Sequence, residues 1–183
     1  MTVAGNRSSL LDARAIKRAL DHMSQEIINL AGDPERLVLV GIQRRGVELA
    51  QRLAHLISEK TGKAVERGAL DITLYRDDLE TVGPRPLVGQ THLPGELSGK
   101  CVVIVDDVLY TGRTVRAALD ELADFGRPSR IGLSVLIDRG GRELPIQADI
   151  VGKSIDAHRG DRVDVLLEEV DGRDAVELVR EAT

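Results

Sequence analysis

The sequence predicts an α/β fold, a parallel sheet flanked by helices, on three observations. Three unbroken apolar runs rich in β-branched residues, Leu37 to Val40, Val102 to Val105 and Ile131 to Ile137, read as strands buried on both faces. The first two pass through a short loop of glycine, charged or hydroxyl residues into a segment with apolar side chains at helical spacing. Towards the C-terminus Val163, Val165 and Leu167 recur at every second position, with polar Arg162 and Asp164 beside the first two, as in antiparallel strands with one wet face.

In chain order, Ser8 or Ser9 is expected to cap a first helix, whose stripe is Ala15, Ile16, Ala19, Leu20, Met23, Ile27 and Leu30. Gly32, Asp33 and Pro34 end it. The run from Leu37 leads through Gly41, Gln43, Arg44, Arg45 and Gly46 into a helix carrying Val47, Leu49, Ala50, Leu53, Ala54 and Ile57. Leu70, Ile72 and Leu74 suggest a strand, followed by a long polar connection with Gly83, Pro84 and Pro86. A connection from about residue 71 to about 95 inside a compact domain is usually a flap. Arg76 and Arg85 are placed on it to reach an anion, and Tyr75 lies at its base. After the central strand comes a helix with Val115, Ala118, Leu119 and Leu122, stopped by Gly126 and Pro128. The third run ends in Asp138, Arg139, Gly140 and Gly141, and a short strand is expected from Ala148 to Val151.

At 183 residues the chain suits one domain, 1–183, with a real core. With 42% hydrophobic and 30% charged residues it is neither disordered nor membrane-embedded. No apolar run approaches a transmembrane length and the N-terminus has no signal-peptide pattern, so the expected location is the cytoplasm. The single Cys101 forms no internal disulfide, and no paired His or Cys spacing offers a structural metal site. A net charge of −5 argues against indiscriminate nucleic-acid binding while allowing a local basic face.

The chemistry concentrates after Val105. Asp106 and Asp107 place two carboxylates at the end of a buried strand, and Thr111, Gly112, Arg113 and Thr114 stand where a helix begins. Strand, turn and helix in that order direct backbone N–H groups and the positive end of a helix dipole at the crevice beyond the sheet, which suits a phosphate. The turn lacks the lysine of a triphosphate P-loop and the GxGxxG spacing of a dinucleotide site. One phosphate beside two acids reads as a phosphorylated sugar, its hydroxyls donating to Asp106 and Asp107. Two adjacent aspartates alone could equally be turn and cap residues, but here strand, acids, Thr-Gly turn and helix occur together. Arg44 and Arg45, at the end of another parallel strand, share the same sheet edge and can hold a second anion, for which diphosphate is the candidate.

The segment VVIVDDVLYTGRT resembles the motif with which type I phosphoribosyltransferases bind phosphoribosyl diphosphate (PRPP). LVLVGIQRRG, DITLYRDDL, GRPSRI and LIDRGGRELPIQADIVGK occur in the order and spacing of one family, the bifunctional pyrimidine operon regulators that are also uracil phosphoribosyltransferases (the PyrR family). The resemblance implies a type I phosphoribosyltransferase fold, a central parallel sheet flanked by helices with a flexible flap and a small hood built from the C-terminal part. It implies a catalytic pair Asp106 and Asp107, and PRPP binding by these with Val108, Leu109, Tyr110, Thr111, Gly112, Arg113 and Thr114. Arg44, Arg45, Arg76 and Arg85 would bind diphosphate, and Arg139 and Val163 would form the base wall. Mg2+ would arrive with PRPP, the protein itself having no metal-ligand set. Expected partners are PRPP, uracil, UMP and, for regulation, the leader mRNA of pyrimidine genes, with Lys17, Arg18, Arg142, Lys153 and Arg159 as candidate RNA-binding residues. A homo-oligomer, dimer or higher, is expected, and no membrane. The other readings are an RNA-binding nucleotide sensor with little catalysis and a phosphoribosyltransferase for another base. The chain departs from the family pattern at Arg44, where TRG has become RRG, at Gly141, where DRGHREL has become DRGGREL, and at GKSIDAH, where GKNxPTS is usual.

Overall fold

The computed structural model describes residues 6–72 and 90–180. Tyr75, Arg76, Arg85 and most of the expected flap lie outside them. Five strands, β2 (Leu37–Ile42), β3 (Glu66–Leu70), β4 (Cys101–Leu109), β5 (Arg130–Asp138) and β6 (Ile150–Ser154), pair in parallel in the order β3-β2-β4-β5-β6. The central strand is the expected one, extended: Asp106 and Asp107 lie inside β4 rather than beyond it.

Strand alternation divides the core into two layers. Leu37, Leu39, Val103 and Val105 face α1 (Ala13–Ala31) and α2 (Arg45–Thr61), whereas Val38, Val40, Val102 and Ile104 face α3 (Arg113–Leu122). All eight side chains are buried, each contributing about 1.5–3 kcal/mol relative to an exposed position. The helices complete the layers with Ile16, Leu20, Met23 and Ile27 of α1, Leu49, Leu53 and Ile57 of α2, and Val115, Ala118 and Leu122 of α3. Leu119 departs from the expected stripe: it is exposed, and buried Glu121 stands on the inner face instead.

The first helix starts later than expected. Its cap is Asp12, whose Oδ1 accepts from the Ala15 amide at 2.7 Å, and not Ser8 or Ser9. Those serines belong to β1 (Arg7–Asp12), which pairs with β8 (Ala175–Val179) in a separate antiparallel sheet ordered β1-β8-β7, with β7 spanning Arg162–Leu166. A four-residue helix α4 (Glu168–Asp171) joins β7 to β8. The C-terminal strands are antiparallel as expected, with an N-terminal third member. Leu11, Val165 and Val176 bury this sheet in the same layer as α1 and α2.

The order of the main sheet fixes where a ligand can sit. From β2 the chain crosses to β3 on one side, and β4 then lies on the other side of β2. The loops after β2 and β4 therefore diverge from adjacent strands, whose partners Gly41 and Val105 are in register. A crevice at the carboxyl ends of two such strands is the binding place of open α/β sheets.

Candidate active site

A cavity of about 660 Å³ opens there. Its walls come from the β2–α2 loop (Ile42 to Arg45), from Asp106 to Val115, from Arg139 and Glu143 after β5, and from Arg162 and Val163 of β7. The first and second groups meet because two glycines let α2 lie against the sheet. A Cβ on Gly41 would stand 2.5 Å from the Gly46 carbonyl oxygen, and one on Gly46 would stand 2.5 Å from that of Val105.

The acid pair lines this cavity. Asp106 is buried and accepts from the Asp107 amide through Oδ1 at 2.9 Å, while Asp107 accepts from the Val108 amide at 2.8 Å. These bonds orient both carboxylates at the cavity. Beyond them Gly112 precedes α3 with φ of 93°, a left-handed conformation that favours glycine. The first-turn amides of α3 have no acceptor within the helix, though that of Arg113 donates to Thr111 Oγ1 at 3.3 Å, and the turn from Thr111 to Thr114 lines the cavity as a cradle able to take an anion.

The loop after β5 is fastened to this cradle. Glu143 and Leu144 amides donate to the Thr111 carbonyl at 3.0 and 3.1 Å, and Glu143 also pairs with Arg113 at 2.9 Å. Arg142 makes the tightest knot: it donates to Asp138 at 2.5 Å and to the carbonyls of Tyr110 and Ile146 at 2.8 Å. Expected on an RNA-binding face, Arg142 is thus turned into the loop it stabilises. Of the other residues assigned to that face, Lys17, Arg18 and Arg159 are exposed, and Lys153 donates to the Leu10 carbonyl at 3.1 Å.

The two arginines of the β2–α2 loop differ. Arg44 is exposed at the cavity, and its side chain has no hydrogen-bond or salt-bridge partner among the described residues. Arg45 also lines the cavity, but its Nε and Nη2 hold both oxygens of Asp171 at 3.1 and 2.8 Å. Those hydrogen bonds raise the Arg45 pKa and hold the Asp171 carboxyl below its ordinary range. Two neighbours in sequence thus differ, Arg44 standing exposed at the cavity and Arg45 tying α2 to α4.

Arg139 is buried in the opposite wall. Its Nη1 and Nη2 donate to the carbonyls of Asp161 and His158, both at 2.8 Å, while Nε has no partner among the described residues. Val163 lines the cavity near it. Sequence reasoning missed Gln43, Glu143 and Arg162, which the structure also brings to the cavity. Arg162 and Glu143 carried no local signal, since each reaches the cleft through a distant element.

A fold of this topology with its cleft at the β2/β4 divergence is that of the phosphoribosyltransferases, and the model of the phosphoribosyl transferase domain matches residues 6–167. Among solved structures, hypoxanthine phosphoribosyltransferase from Trypanosoma cruzi superposes with a TM-score of 0.74 at 19% identity over 97% of this chain and 96% of its own. The corresponding enzyme from Staphylococcus aureus gives 0.68 at 20% identity over 99% and 97%. Much nearer in sequence is Bifunctional protein PyrR of Thermus aquaticus, 55% identical over 172 residues, covering 94% of this chain and 95% of the relative. Bifunctional protein PyrR of Chloroflexus aurantiacus is 54% identical over 176 residues, covering 96% and 97%. The chain belongs to the phosphoribosyl transferase domain family and, within it, to the PyrR family.

Proposed function

We propose that the protein transfers the phosphoribosyl group of PRPP to uracil, releasing diphosphate and forming UMP, and that UMP occupancy of the cleft controls binding to the leader mRNA of pyrimidine genes. The observation that carries the reaction is the arrangement around one cavity: the acid pair and the α3 cradle on one side, exposed Arg44 on another, and buried Arg139 on the third. The cradle takes the ribosyl phosphate, Asp106 and Asp107 the ribose hydroxyls, and the loop at Arg44 the diphosphate. Arg76 and Arg85, beyond the described residues, are assigned to the same diphosphate. Arg139, beside Val163, is assigned to the wall that meets the base.

The residues fit Mg2+ carried by its substrate. No group of three potential ligands occurs among the described residues, whereas two carboxylates beside a diphosphate suit a cation that keeps waters and substrate oxygens in its shell. When bound, the ion supplies charge neutralisation to the departing diphosphate. The chain itself fixes the ribose through Asp106 and Asp107, holds the phosphate on main-chain amides, and presents Arg44 to the charge that develops on the leaving group. Uracil-dependent release of diphosphate from PRPP tests this, with hypoxanthine, guanine and orotate as competing bases. Wild-type turnover of Asp106→Asn/Asp107→Asn would refute the site.

RNA control is a property of a different surface. Exposed Lys17, Arg18, Lys153 and Arg159 are its candidate contacts, and a homo-oligomer would repeat them. UMP-enhanced, salt-sensitive gel-shift binding to a pyrimidine-gene leader is the expected result. Binding indifferent to UMP would leave the enzyme alone.

A further inference from the structure

A guanidinium held only at two corners needs something to keep it flat against the wall. The face of Arg139 is covered by Tyr110, whose ring centroid lies 3.9 Å from Cζ, a cation–π stack in a poorly solvated place. Tyr110 immediately precedes the cradle, and its hydroxyl donates to the Arg159 carbonyl at 3.4 Å. One side chain thus reaches from the phosphate loop across to the wall opposite.

The ring can lie there because residue 141 has no side chain. Gly141 has φ of 78°, and a Cβ on it would stand 2.5 Å from Tyr110 Cε2 and 3.1 Å from Cδ2. Any other residue would push the ring aside, and this is the position at which the family pattern has histidine. The departure at 141 and the posture of Tyr110 are therefore one feature.

We infer that Tyr110 is the positioning residue of the base site, holding the Arg139 guanidinium in the plane that meets the base, and that Gly141 is its permissive partner. This builds on Arg139 as the base-facing residue. A ring that acts through the Arg139 guanidinium should affect the base more than the sugar phosphate.

Steady-state kinetics with uracil and PRPP varied in turn test it. Tyr110→Leu raises the KM for uracil about tenfold, as loss of a largely desolvated cation–π contact implies, with a smaller effect on the KM for PRPP. Tyr110→Phe, which keeps the ring, recovers most of that loss. Gly141→Ala reproduces the defect alone but adds little once the ring is gone, so the two are non-additive. Equal effects on both substrates, or a Phe variant as impaired as Leu, would overturn the assignment. With no tryptophan and only two tyrosines, a Tyr75→Phe background makes emission a direct report on Tyr110. In it Arg139→Met must alter the emission whether or not uracil is the substrate, and an unchanged spectrum rules out the stack. Absence of transfer to uracil by the wild type, with the spectral change intact, would instead reject uracil as the base.

Discussion

Replacing Gly46 by alanine tests how closely the two loops of the site depend on one another. The new methyl carbon would stand 2.5 Å from the Val105 carbonyl oxygen and 3.3 Å from the Cα of Asp106. Cβ contacts under 3.0 Å are essentially never seen, so α2 or β4 must move by at least about 0.5 Å. Neither neighbour is a flexible side-chain tip. Both are main chain, so the shift is transmitted to Arg44 at one end and to Asp106 at the other. Overpacking of this kind costs about 1–3 kcal/mol, which for a domain of this size lowers Tm by roughly 2–12 °C. Misplacement approaching 1 Å at a reacting centre costs up to about a hundredfold, so kcat/KM for PRPP should fall roughly 10- to 100-fold. Differential scanning calorimetry and diphosphate-release kinetics on the same preparation measure both effects. A variant with wild-type Tm and kcat/KM would show that α2 does not seat the acid pair.

Arg44→Gln should weaken PRPP binding with little change in Tm, whereas Arg45→Gln should cost about 1 kcal/mol of stability by releasing Asp171, as titration calorimetry and melting will separate. Arg142→Met leaves Asp138 Oδ2 and the carbonyls of Tyr110 and Ile146 without their Arg142 donor; the KM for PRPP should rise several-fold, and the RNA gel shift should not change independently of it. Hydrogen bonds from Arg52 hold the carboxyls of Asp174 and Glu169 below their ordinary pKa. Because these values are depressed by folding, the stability they provide is complete above the ordinary carboxylate range of about pH 4 and disappears as pH falls through the folded-state values. Arg52→Met should therefore lower Tm at pH 7 and flatten its decline between pH 5 and about 3; an unchanged slope would contradict the network.

The parallel sheet was legible because burial on both faces leaves unbroken apolar runs, as at Leu37 to Val40 and Val102 to Val105. Strand β1 was not. Only Leu11 in RSSLLD is buried, and its partner β8 lies at the far end of the chain, so the segment reads as polar residues ahead of a helix. Its two serines match a cap signal, but Asp12 holds the helix start. The acid pair and Thr-Gly turn were readable because one continuous segment carries them. What each arginine does was less so: Arg45 is bound by Asp171 and Arg142 by its own loop, and such pairings emerge only once distant elements pack. For Arg142 a local clue existed in Asp138 four residues before it. The part of Tyr110 had none, since it depends on a missing side chain at Gly141.

Calorimetric titration of Mg2+-PRPP into the wild type and into Asp106→Asn/Asp107→Asn bears most directly on the claim that the acid pair and the α3 cradle hold an activated ribose. Saturable one-to-one binding by the wild type, weakened at least tenfold in the variant while its melting stays cooperative, is the predicted result. Equal affinities in the two proteins would contradict it.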